Sequence, residues 1–315
     1  TINNTANANV ASVNGCCPGD VDVTISGNGA NSDNTAVVIA KSATLVDQLN
    51  NASVANFVAA KLNTGGNDAN NNTGGNVEID TGNAEANVSL STKVNKNVAV
   101  VGGNNGGSLN VEISGNGADS DNLAKVKVFS DTEIFQENNA EILNDVWVLA
   151  NSGWNDANNN TGGNVEINTG NAEVDVEVNN LANFNWADVD SCGCVLDASI
   201  LIKNNGFNSD NLAKLILISK KLVVQENNFD CKKFEDACAL VWVKSNTGKN
   251  DANNNTSGGE PEISTGNAGA DVEVNNTVNK NVVGSLSLGD IELPDLDLDG
   301  DSLSLVLLLL IGLFS

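Results

Sequence analysis

Along most of the chain, apolar and polar residues change places at every step. Val21-Asp22-Val23-Thr24-Ile25, Val111-Glu112-Ile113 and Ala172-Glu173-Val174-Asp175-Val176-Glu177-Val178 set aliphatic groups on one side and carboxylates or hydroxyls on the other. A period of two marks half-buried strands, with one wet face and one dry. Between these runs stand Gly, Asn, Ser and Asp, and the five Asn-Gly pairs beginning at Asn14, Asn28, Asn105, Asn116 and Asn205 predict turns. Asn, Gly, Thr and Val disfavour helix, so the expected class is all-β.

The pattern is written three times. Asn-Asp-Ala-Asn-Asn-Asn-Thr-Gly-Gly begins at Asn67 and Asn155 and returns at Asn250 with Ser257 inserted, the copies 88 and then 95 residues apart. Each leads into a strand-like run and a Thr-Gly-Asn-Ala turn ending at Ala84, Ala172 and Ala268. Such self-similarity marks a repeat protein. About six or seven short strands per unit predict three tandem β-sandwich-like repeats of about 90 residues, antiparallel within each unit. A β-solenoid is the alternative, and a coil of about 20 to 30 residues is its expected sub-period. The organisation is then an N-terminal strand segment (1–15), repeats at 16–100, 101–189 and 190–285, and an alternating, apolar tail (286–315).

One segment is out of count. Asn3-Asn4-Thr5-Ala6-Asn7-Ala8-Asn9-Val10 matches runs near Asn95, Asn183 and Asn279, so the chain holds four copies of this strand and three of everything else. One end has a strand too many, or lacks the unit that should precede it. At the other end, Leu303 to Phe314 is too short to span a bilayer as a helix. It reads as a strand buried on both faces, or else as part of a membrane anchor. In each repeat an aromatic strand, Phe57-Val58, Val146-Trp147-Val148 or Val241-Trp242-Val243, is expected to put its ring in the core. A ligand-stacking platform is the other reading.

Composition narrows the function. With 40 acids against 15 lysines the net charge is −25, which repels nucleic acid and anionic membranes. There is no His and no phosphate-binding loop, and the carboxylates alternate along strands like solvated faces; a non-enzymatic role is expected. Absence of Met implies processing, most simply removal of a secretion signal.

Six cysteines in a secreted chain imply disulfides. Cys231 and Cys238 flank the insertion that lengthens the third repeat and are expected to staple it. Cys16 and Cys17 occupy the loop position that Cys192 and Cys194 hold two repeats on, and bridges between subunits are expected there. The Asn-rich loop spaces oxygen ligands two apart at Asp68, Asn70 and Asn72, at Asp156, Asn158 and Asn160, and at Asp251, Asn253 and Asn255. That resembles the first half of a calcium loop, although the glycine and the final acid fall out of place. The competing reading is a turn whose Asn side chains bond backbone. Glycan acceptor sequences occur at Asn71, Asn159 and Asn254 in that loop, and also at Asn3, Asn51, Asn87, Asn255 and Asn275.

Together, Asn-Thr-Gly-Gly, Glu-Ile-x-Thr-Gly-Asn-Ala and Asn-x-x-x-Asn-x-Asn resemble the Asn/Gly-rich repeats of secreted microbial cell-surface proteins, over residues 3 to about 285. The layout also resembles filament subunits that polymerise by donor-strand exchange. The resemblance implies an extracellular structural subunit that is its own partner in a homopolymer, joined through a terminal strand. The rival is a monomeric or anchored surface adhesin, calcium-dependent in one form.

Overall fold

The computed structural model describes residues 1–14, 19–102, 107–189, 198–231, 238–256 and 258–284. Every named element is a strand: β1 (Ile2–Asn14), β2 (Val21–Ser26), β3 (Asp33–Asn63), β4 (Val77–Asp80), β5 (Ala84–Gly102), β6 (Leu109–Ser114), β7 (Asp121–Asn151), β8 (Val165–Asn168), β9 (Ala172–Val189), β10 (Ala198–Lys203), β11 (Asp210–Cys231), β12 (Ala239–Asn246), β13 (Glu262–Ser264) and β14 (Ala268–Val283).

All strand pairings are parallel, and each joins a residue to its counterpart in the next repeat. Val38 pairs with Val126 and Leu215 with Val126 on the other side, and Ile79 pairs with Ile167. Among the described residues four sheets result, ordered β1-β5-β9-β14, β2-β6-β10, β3-β7-β11/β12 and β4-β8-β13. This corrects the antiparallel sandwich expected for each unit. The backbone ladders run between repeats, and within a repeat the hydrogen bonds come from side chains, such as Gln48 to the Val98 carbonyl; each repeat lies as one layer on the next. The expected return strand after Gly27-Asn28-Gly29 does return, but β3 faces β2 across the core instead of pairing with it. No short sub-period exists because one turn of the stack consumes a whole repeat, including a strand of 31 residues.

Within a layer the long strand sets one wall. Along β7 every even position from Asn122 to Ala150 turns inward: Ala124, Val126 and Val128 meet Leu109, Val111 and Ile113, and Val146, Val148 and Ala150 meet Ala172, Val174, Val176 and Val178. The facing wall, β5 or β9, must change parity partway, because Leu90 and Val94 point inward at even positions but Ala99 and Val101 at odd ones. Asn95 makes the change. It sits at φ 60° and its counterparts Asn7, Asn183 and Asn279 at 59°, 62° and 58°; Asn tolerates this left-handed region where β-branched residues do not. One of the recurring asparagines in Asn-x-Asn is thus a hinge that keeps the apolar stripe facing in.

The same alternation corrects the aromatic expectation. Val146 and Val148 are buried, so Trp147 between them faces outward. It lies against Trp242 with ring centroids 5.3 Å apart, and its indole N–H donates to Asp145 Oδ1. Phe57 also lies outside, 69% exposed. Register brings Trp147 and Trp242 together on the surface without burying them, whereas Phe57 falls beside Asp145.

Register also locates the insertion. Cys231 pairs beside Ile142 and Ala239 beside Asn144, so the third repeat has seven residues where the second has one. Cys231 and Cys238 lie at disulfide distance, with Cα atoms 4.5 Å apart. A chain lacking residues 232–237, with Cys231 and Cys238 replaced by Val and Ala, should continue β11 into β12 and melt within about 3 °C of the parent by circular dichroism. A larger loss would mean that the loop holds the layer together. Cys16, Cys17, Cys192, Cys194 and the apolar run 303–314 lie outside the described residues.

Candidate assembly interface

Asparagine is the connecting element between layers. On the wall formed by β3, β7 and β11, Asn50, Asn138 and Asn227 point inward; on the facing wall Asn9, Asn97, Asn185 and Asn281 meet them. Asn50 Nδ2 donates to Asn97 Oδ1 at 2.7 Å, Asn97 to Asn138 at 3.0 Å, Asn138 to Asn185 at 2.7 Å, and Asn227 to Asn281 at 2.7 Å. Bonds along each wall, such as Asn97 to Asn185 and Asn50 to Asn138 (both 3.0 Å), complete a polar ladder through the core. Gln48, Gln136 and Gln225 form a second column with links of 2.7 Å. An amide carries both donors and acceptors, so identical side chains stacked in register satisfy one another indefinitely.

The loop predicted to hold calcium is built in the same way. Asp68, Asp156 and Asp251 form one column, as do Thr73, Thr161 and Thr256. Asn70 Oδ1 accepts the Asn158 N–H, and Asn158 Oδ1 that of Asn253. Asn160 Oδ1 accepts from the Asn72 N–H at 2.7 Å, and Asn255 Oδ1 from the Asn160 N–H at 2.8 Å. These oxygens accept hydrogen bonds along the stack, from layer to layer. Among the described residues no group of three or more His, Cys, Asp or Glu is placed to hold a metal. Asn71, Asn159 and Asn254 lie exposed at the loop's tip, with φ near 58°. Asn3, Asn51, Asn87 and Asn275 are exposed too, whereas Asn255 is half-buried.

Among the described residues the third layer has no further layer beside it. Middle-layer Ile113, Ile167 and Val176 are at most 2% exposed, but their third-layer counterparts Ile202, Ile263 and Val272 are 46%, 43% and 44% exposed. The hydrogen-bond columns end in complementary groups. Asn67 N–H donates to Asn155 Oδ1 and Asn155 N–H to Asn250 Oδ1; the column therefore ends with Asn67 Oδ1 as an acceptor at the first layer and the Asn250 N–H as a donor at the third. The columns Asn28-Asn116-Asn205 and Asn72-Asn160-Asn255 have the same polarity.

Glycines mark the same ends. A Cβ on Gly65 would overlap the Gly153 carbonyl, and one on Gly153 the Gly248 carbonyl, yet Gly248 has open space. A Cβ on Gly206 would strike Ala118, and one on Gly117 Ala30, while Gly29 at the first layer is open. Glycine is needed where layers meet, and it persists at both outer faces.

Comparison with known proteins found no matching family model, no matching curated protein and no matching solved structure. Among the described residues no helix is long and apolar enough to cross a membrane. The fold itself defines a class: an all-β stack of parallel layers joined by amide ladders.

Proposed function

We propose that this chain is the structural subunit of an extracellular filament, in which copies stack end to end so that the layers of one continue into the next. The observation that carries this reading is the pair of outer faces among the described residues: apolar columns 43–46% exposed at the third layer, and amide columns that each finish in an acceptor at one face and an N–H donor at the other, some in one sense and some in the reverse. An exposed strand edge is a template for further pairing. Here the incoming edge carries the sequence that already pairs inside the molecule. The Cys231–Cys238 pair suits an oxidising, extracellular setting.

Charge opposes this assembly and sets its conditions. In-register stacking aligns like acids, such as Glu78 with Glu166 and Glu262. Hydrogen bonding to Asp80, and then repulsion from Asp80 and Glu166, hold the Glu78 carboxyl above its ordinary value of 4.5. Asp80 and Glu166 belong to the same molecule, so the raised carboxyl favours its folded layers at low pH, a contribution lost as pH rises through the raised value. End-to-end stacking would set further like acids, such as Glu262 and the next copy's Glu78, side by side. Purified protein should therefore remain dispersed longest at neutral pH and low salt. It should assemble as pH falls toward the carboxylate range or as salt screens the acids. Electron microscopy should show filaments, and fibre diffraction a meridional spacing of about 4.8 Å, the distance between paired strands. Monodisperse protein under all these conditions would sink the proposal.

A further inference from the structure

Counting strands specifies the joint between subunits. The sheet β1-β5-β9-β14 has four members, while the other three sheets have one member per layer, taking β11 and β12 as a single interrupted strand. The two walls climb alternately: β1 packs on β3, β3 on β5, β5 on β7, β7 on β9, β9 on β11, and β11 on β14. If a second copy set its β1 beside β14, the wall opposite that junction would lack a 31-residue strand. The β2-type and β4-type sheets would each lack a member as well. One layer closer, β3, β2 and β4 of the second copy fall directly beside β11/β12, β10 and β13. Then β14 and the incoming β1 claim the same place.

Resting on the end-to-end stacking proposed above, we infer that subunits join by strand substitution: β14 of one copy displaces β1 of the next and pairs with its β5. Register favours β14 in that place. Among the described residues β1 pairs with β5 from Leu90 onward. β14 carries Ala268 in the column of Ala172 and Ala84, so it covers β5 from its first residue. It also brings Val272 and Val274, 44% and 40% exposed, into the apolar column that continues through Val88 and Leu90. β1 packs Ile2, Ala11 and Val13 on the core, Ile2 opposite Leu90, while its Ala6 and Ala8 are exposed. In the single molecule β1 is a placeholder that covers the edge of β5 until a neighbour arrives.

Cysteine pairs read the joint directly. Asn3 and Asn179 flank Ser91, and Asn275 lies beyond Asn179 in the same column. Within one molecule Asn275 and Ser91 are two strand spacings apart, about 9.6 Å, beyond the roughly 7 Å that a disulfide spans. In the substituted joint Asn275 lies beside Ser91 of the next copy; in simple stacking it lies beside Asn3. Full-length protein carrying N275C and S91C should cross-link between subunits when assembled under oxidation, with the cross-linked peptides identified by mass spectrometry. Protein carrying N275C and N3C should not. A chain lacking residues 1–14 should assemble with a lag several-fold shorter than the parent's. Filaments that cross-link only through the N275C and N3C pair overturn the substitution and leave stacking intact. Slower assembly after removal of residues 1–14 also overturns it, because β1 would then be contributing to the joint. Absence of filaments from every variant and from the parent overturns both readings.

Discussion

Alanine at Gly248 should leave the single molecule as stable as the parent and prevent its assembly, whereas alanine at Gly153 should destabilise the molecule itself. The two glycines occupy one column, both outside the left-handed region, so neither substitution is opposed by its own backbone. Their difference is what lies next to them. The Gly153 position abuts the Gly248 carbonyl, and a methyl group there forces the second and third layers apart. Overpacking against backbone, which cannot rotate away, costs about 3 kcal/mol or more, which corresponds to a fall in melting temperature on the order of 10 °C. The Gly248 position opens to solvent in the single molecule. In the filament it would abut Gly65 of the next copy as Gly153 abuts Gly248. Thermal melts and light scattering on the two variants separate these effects. Unimpaired assembly of Gly248→Ala would show that this face does not meet another copy.

Replacing Asn138 with alanine should be the most damaging change of a single polar side chain. Asn138 is fully buried and lies at the centre of the ladder, in contact with Asn50, Asn97, Asn185 and Asn227, and it also donates to the Phe184 carbonyl at 3.3 Å. Its removal leaves several buried amides without partners, and each such group costs roughly 1–3 kcal/mol. A loss of about 4 kcal/mol is expected, measured as a lower urea midpoint with an unchanged slope. Leucine, similar in volume but unable to bond, should rescue little. The neighbouring Asn139→Ala faces outward and should cost less than about 1 kcal/mol. Equal effects at the two positions would mean that the core ladder contributes no more than a surface one.

Much of this architecture can be read from the residues. Alternation assigns the strands, and the surplus fourth copy of the Asn3–Val10 pattern foretells a sheet with one more strand than its neighbours. The longer third repeat is legible as an insertion between two cysteines, and Cys231 and Cys238 do lie at disulfide distance. The switch from inward Leu90 and Val94 to inward Ala99 and Val101 is also visible as a change of parity at Asn95, a signal open to a reader who asks which face each residue takes. The outward position of Trp147 follows from Val146 and Val148 by the same rule. Size and aromaticity suggest burial, but alternation decides.

What the chain determines by itself is which residues are strands, which face each presents, and where the pattern recurs, because these depend on near neighbours and on a period of two. Pairing partners are another matter. A half-buried strand has the same alternation whether its neighbour runs with it or against it, so parallel stacking of repeat on repeat emerges only in three dimensions. The roles of Asn50, Asn97 and Asn138 emerge there too: an isolated asparagine is a turn residue or a liability in a core, and only a copy of itself one layer away turns it into a link in a ladder.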